Sequence, residues 1–140
     1  MSHTINHHTA LVYVMVTMSA VDGKMKDQEI RRIGNIVRNL PVFDGFSEER
    51  LVPVAQECAA ILNNDEGLAT VLGLVVETLP VQLHETAYAL AVEVAAADLH
   101  VEQEELRFLQ MLRDRFVLDK LVVAAIERGA RARHAVAPVT

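Results

Sequence analysis

Two carboxylates seven positions apart occur twice in this chain. Asp22 and Glu29 lie in SAVDGKMKDQEI, residues 19 to 30, and Asp98 and Glu105 lie in AAADLHVEQEEL, residues 95 to 106. The offset is 98 − 22 = 76, and the neighbours follow it, with Met25 over Val101, Ile30 over Leu106 and Ile33 over Leu109. Two chemistries fit this pattern. Gathered together, the four carboxylates would form an oxygen-rich site for a hard cation, calcium or magnesium, and His100 and Glu102 would extend its second half toward zinc or manganese. Taken singly, each glutamate falls near the third position of a helix. There it can reach back to the first amides and meet the positive end of the dipole, worth roughly 0.3–1 kcal/mol on an exposed surface. The aspartates would then bond loop amides as turn residues. Capping leaves unexplained why an Asp ends two almost wholly apolar helices at the same relative place, where a partly buried charge needs a cation or several donors.

The elements that must hold these residues are helical. Residues 4 to 21 are apolar almost all round, the pattern of a central helix, and end at Asp22-Gly23. From about Lys26, the spacing of Ile30, Ile33, Ile36, Val37 and Leu40 marks one face of a second helix, which Pro41 stops. Ser47 is placed to cap a third helix running to about Ile61. Asn63 with Glu66 three residues on reads as a capping-box start for a fourth, ending before Pro80. A fifth spans about 81 to 97, Leu106, Leu109, Met111 and Leu112 line a sixth, and Asp119 opens a seventh. The expectation is one all-α domain of about seven helices over residues 1–140. Its core covers about 10–128, with tails at 1–8 and 134–140, and it contains a pseudo-two-fold helix–loop–helix repeat that could bring the two acidic loops near one another.

Composition agrees and excludes several classes. The chain has 140 residues, 51% of them hydrophobic but only 4% aromatic, which favours packed helices over sheets. A formal net charge of −6 argues against nucleic acid, which calls for a basic stripe. Cys58 is the single cysteine, so no internal disulfide forms, and its setting in QECAAIL reads as a buried hydrophobe. The start MSHTINHH lacks a signal-peptide pattern and the first apolar run is too short for a bilayer, so a cytoplasmic chain without membrane insertion is expected.

The repeated Ala-x-Asp, apolar, Glu arrangement resembles the TerB family of small bacterial tellurite-resistance proteins and their TerB-like relatives. The likeness rests on residues 19 to 30 and 95 to 106 and extends over most of the chain, from about Ala10 to Arg128. It implies a compact helical fold, a divalent-cation site made by the acidic residues of both loops, and a role in tellurite resistance and wider stress responses. Carried over by position, the site residues are Asp22, Glu29, Asp98 and Glu105. The chain departs from the family pattern at Leu99, where a glycine usually follows the Asp, and at Lys26 and Glu102, where a small capping residue is expected. Lys24 and Lys26 place positive charge beside the first loop. The second, with Glu102, Glu104, Glu105 and His100, is the stronger cation candidate.

Enzyme signatures are missing from the sequence: no Ser-His-Asp context, phosphate-cradling glycine loop, Cys-x-x-Cys or Glu-x-x-His pair is found. The expected function is a non-catalytic cation-binding module that acts through protein partners, with a homodimer allowed. The alternatives are a metal-independent interaction scaffold and a magnesium-dependent phosphoester hydrolase. One soft ligand, Cys58, makes direct tellurite chemistry a poor expectation. The remaining polar residues read as ordinary surface: His7-His8 in a frayed terminus, His84 and Glu85 solvated, His134 in the tail, and Arg128, Arg131 and Arg133 at the negative end of the last helix.

Overall fold

A computed structural model describes residues 5–20, 25–97 and 102–139. Within them the chain forms seven α-helices and no strand: α1 (His7–Ala20), α2 (Asp27–Asn39), α3 (Leu51–Leu62), α4 (Gly67–Thr78), α5 (His84–Ala96), α6 (Gln103–Phe116) and α7 (Lys120–Arg133). The order matches the expectation from periodicity. Short 3-10 turns precede α3 and α5 and follow α2.

Two helices organise the packing. The all-round apolar α1 is buried along nearly its whole length and touches α2, α3, α4 and α5. Its partner α5 packs on α1 and also carries α6 and α7. Amphipathic α2 turns Ile33 and Val37 inward, and α6 does so with Phe108, Leu109 and Leu112. The four largest fully enclosed side chains, Tyr88, Phe108, Leu11 and Met15, come from α5, α6 and α1. Close packing of such side chains makes this the part of the molecule least tolerant of volume change.

Local helix starts differ from the sequence expectation in two places. Ser47 makes no side-chain cap; its carbonyl accepts the Arg50 amide (2.9 Å), and a 3-10 turn over Glu48–Arg50 runs directly into α3. Asn63 does not start α4 but terminates α3, and Glu66 sits at φ 59° immediately before Gly67. The tight reversal explains both. The Gly67 amide donates to the Asn64 carbonyl (2.9 Å), and a Cβ on Gly67 would collide with the Ile61 carbonyl and the Leu62 backbone. Only glycine fits there.

Among the described residues, those at the start of α1 are more tightly held than expected. Asn6 Oδ1 accepts the Thr9 amide (2.9 Å) and so caps α1, an N-terminal device missed in the sequence. His8 is not frayed. Its ring lies 6.1 Å from Phe43 and 5.6 Å from Phe46, and burial lowers its basicity, reinforced by the charge of His7. Asp119 caps α7 as expected, its Oδ1 accepting the Leu121 amide at 2.7 Å.

Candidate functional site

The duplicated motif keeps its register in the backbone. The helices α1 and α5 end at Ala20 and Ala96, and α2 and α6 begin at Asp27 and Gln103, each pair 76 positions apart. Lys26 and Glu102 occupy the N-cap positions with nearly equal extended dihedrals, φ −91°, ψ 157° and φ −76°, ψ 159°. Each carbonyl then accepts two amides at matching places. Glu29 N and Ile30 N donate to Lys26 O at 2.9 and 3.2 Å, and Glu105 N and Leu106 N donate to Glu102 O, both at 3.1 Å. Two sequences with different charges have therefore adopted one helix-start geometry.

Both glutamates occupy the third position of their helices, as the spacing implied. Glu105 is 6% exposed although it carries a carboxylate, and its Oε1 accepts the Glu102 amide at 3.0 Å. That bond ties the start of α6 together and supplies one compensation for burying the charge. Glu29 is half-buried at the equivalent point of α2. Glu102 and Glu104 face solvent. Asp22, Asp98 and His100 lie outside the described residues, as do Lys24 and Leu99, so the meeting of the two loops is not part of the described geometry.

The donor set suits a hard cation in its chemistry: carboxylate oxygens stand at two helix starts, and the soft ligand Cys58 is sequestered elsewhere. Among the described residues no group of three or more His, Cys, Asp or Glu side chains is close enough to hold a metal. Cys58 is fully buried, as its neighbours implied. Its Sγ lies 3.6 Å from Thr17 Oγ1, and burial pushes the thiol up to about 11.

Two polar networks near α7 escaped the sequence reading. The hydroxyl of fully buried Tyr88 donates to Glu127 Oε2 (2.6 Å) and accepts from Arg113 (2.8 Å), joining α5, α6 and α7. Burial, together with the Glu127 bond, pushes the phenol up to about 12. Farther along, Glu93 meets Arg133 at 2.5 Å and His134 at 3.0 Å. Burial alone would raise the Glu93 carboxyl, but bonds from Arg133 and His134 outweigh it and hold the group below its ordinary range. His134 thus ties α7 to α5 rather than lying in a loose tail, and Arg133, in the last turn of α7 as expected, reaches the same carboxylate. His84 is likewise packed, its ring stacked on Phe116 at 4.3 Å and its Nε2 3.1 Å from the Leu79 carbonyl. The signal available in the sequence was a tyrosine inside an otherwise apolar helix, whose hydroxyl must find a partner. The partners lie 25 and 39 positions away, so no local pattern named them.

These ties also fix helix directions. Tyr88 meets Glu127 and Glu93 meets Arg133, so α5 and α7 run parallel, whereas Arg113 near the end of α6 returns to the start of α5, so α6 runs antiparallel. No helix in the described residues is long and apolar enough to cross a membrane. Comparison of the chain with protein-family models, curated proteins and solved structures finds no match.

Proposed function

We propose that this chain is a non-catalytic, divalent-cation-binding helical module of the TerB type, working in a tellurite-resistance or stress response through protein partners. The observation that carries the reading is Glu105: a carboxylate 6% exposed at the mouth of the second acidic loop, in a frame that recurs at Glu29. A buried carboxylate at a loop rich in further oxygens is the setting in which a cation offsets desolvation. Asp98 and Glu105 would supply ligands from one hairpin, Asp22 and Glu29 from the other, with Glu102 and His100 in reserve. Calcium or magnesium suits the oxygen donors, and zinc or manganese would depend on His100. Held between the hairpins, an ion would set their relative angle and make that angle legible to a partner.

A second reading has its own observation. The Glu102 amide on Glu105 Oε1 is a helix-start device that works without metal, which supports a scaffold whose carboxylates only order the loops. Calorimetric titration of calcium, magnesium, manganese and zinc into chelator-stripped protein separates the two. The cation reading expects binding that disappears in Asp22→Ala and in Asp98→Ala. Heats indistinguishable from buffer would leave the scaffold.

A further inference from the structure

We propose that the cleft between α5, α6 and α7 is a docking groove for an amphipathic helix of another protein, one that sets leucine-sized side chains in the groove and carries acidic residues beside them. The proposal rests on the partner-dependent half of the proposed function and not on the ion.

The cleft has a volume of about 550 Å³. Its floor and sides are apolar, with Val92 from α5, Leu106 and Leu109 from α6, and Val136 beyond the end of α7. Leu106 is 50% exposed and Val136 80%, so the surface is an open trough rather than an enclosed cavity. A small ligand gains most where it is nearly surrounded, whereas an open apolar trough between helices suits a row of side chains from another helix. Such a row, spaced i, i+3, i+4 and i+7, would cover Leu106 and Val136 together.

Charge selects the flank of that helix. The chain carries a net charge of −6, yet Arg113 and Arg131 stand on the rim of this cleft. One carboxylate, Glu127, is also present, and its Oε2 already accepts the Tyr88 hydroxyl and lies 3.7 Å from Arg113. Arg131 has no ion-pair partner among the described residues. At contact distance, inside the screening length, Arg131 favours an acidic flank in the trough over a basic one. Arg113 is already engaged by Tyr88 at 2.8 Å and Glu127 at 3.7 Å, so Arg131 is the rim cation open to an incoming carboxylate.

The test uses the full chain and two hydrocarbon-stapled helical peptides with the same leucine row, one flanked by glutamates and the other by lysines, read by fluorescence anisotropy. The glutamate peptide is expected to bind at least about tenfold tighter than its lysine twin, with the gap narrowing as salt rises. Arg131→Glu should reverse that preference. Leu106→Asp, at a half-exposed position that tolerates polarity, should abolish binding of both, while Val81→Asp, exposed but outside the cleft, should change nothing. Equal binding of the two peptides, equal loss in Val81→Asp, or no binding in either chelator or added magnesium and calcium would overturn the proposal. Sedimentation showing a dimer that Leu106→Asp dissolves would also overturn it, by giving the groove to a second copy. Cation titration is read separately, so failure of the groove and failure of the ion site remain distinguishable.

Discussion

The two hairpins, α1–α2 and α5–α6, share a backbone frame but have been fitted to different neighbours. At positions 76 apart, Val12 corresponds to Tyr88, Thr17 to Glu93 and Val37 to Arg113. In the first hairpin these residues are buried among α3 and α4 or face the core, and Thr17 meets the Cys58 thiol. In the second they are the residues that bind α7, through Glu127, Arg133 and His134. One copy closes by apolar packing and the other by polar ties. A duplicated frame therefore specifies the helix starts, while a few facing positions decide what each copy carries.

The largest expected effect tests that asymmetry at an equivalent pair, Val16 and Val92. Val16 is 0% exposed in the middle of the core, and Val92 is 7% exposed beside the cleft. Val16→Ala should cost about 2–3 kcal/mol in urea unfolding, from lost methyl burial plus a cavity that cannot collapse, and Val92→Ala about half as much. Equal losses would mean that the two hairpins are equally rigid. Next in size are the helix starts. Glu105→Ala should destabilise by about 1–2 kcal/mol, because the Glu102 amide loses its acceptor, with a smaller loss for Glu29→Ala on the more exposed copy. A sharper variant is Glu105→Gln, which keeps the acceptor; stabilisation by added cation, read as a rise in Tm, should vanish in it if the ion site is real.

Acid should act on the second hairpin through Glu93. Glu93 is held below its ordinary range in the folded protein, so its contribution to stability is fully present above the carboxylate value of the unfolded chain. It is lost as pH falls through the lower folded value. Wild-type stability should therefore decline faster than that of Glu93→Gln through the acidic range, with hydrogen exchange rising first in α7. Parallel pH profiles would remove Glu93 as the anchor. The smallest effect lies where the hairpins end. The first stops at Pro41; the corresponding residue of the second is Val117, 86% exposed at φ 52°, a left-handed conformation costly for a β-branched side chain. Val117→Gly should raise stability by up to about 1 kcal/mol in thermal melts, and an unchanged Tm would show that the strain is already relieved.

The helix order and the repeat were legible because both are written locally, in apolar spacing and in a matched offset. The third-position placement of Glu29 and Glu105 was equally legible, since it depends only on where a helix can begin. Ser47 and Asn63 misled for a physical reason: a cap-forming residue type is only a candidate until the turn geometry is known, and here a 3-10 run and a left-handed Glu66 shift both starts. His8 and His84 were read as surface from their immediate neighbours, and nothing local singled out Tyr88. Their real partners, Phe43, Phe116 and Glu127, are supplied by helices or turns far along the chain. At the candidate site the glutamates could be followed into the fold, while Asp22 and Asp98 fall outside the described residues.

The attachment of α7 has a consequence for how the molecule comes apart. Its principal packing partner is α5, and Ala130 is its one buried residue among those described. With one buried residue, two half-buried ones against the core in Val123 and Ile126, and a handful of polar bonds, α7 is expected to open sub-globally at a lower free energy than the α1-centred remainder. Unfolding followed by different probes should then fail to coincide, with α7 amides exchanging while the signals of α1 stay protected. Because α7 is also one wall of the cleft, anything that settles there acts as a splint: it should merge the two transitions into one and restore all-or-none behaviour.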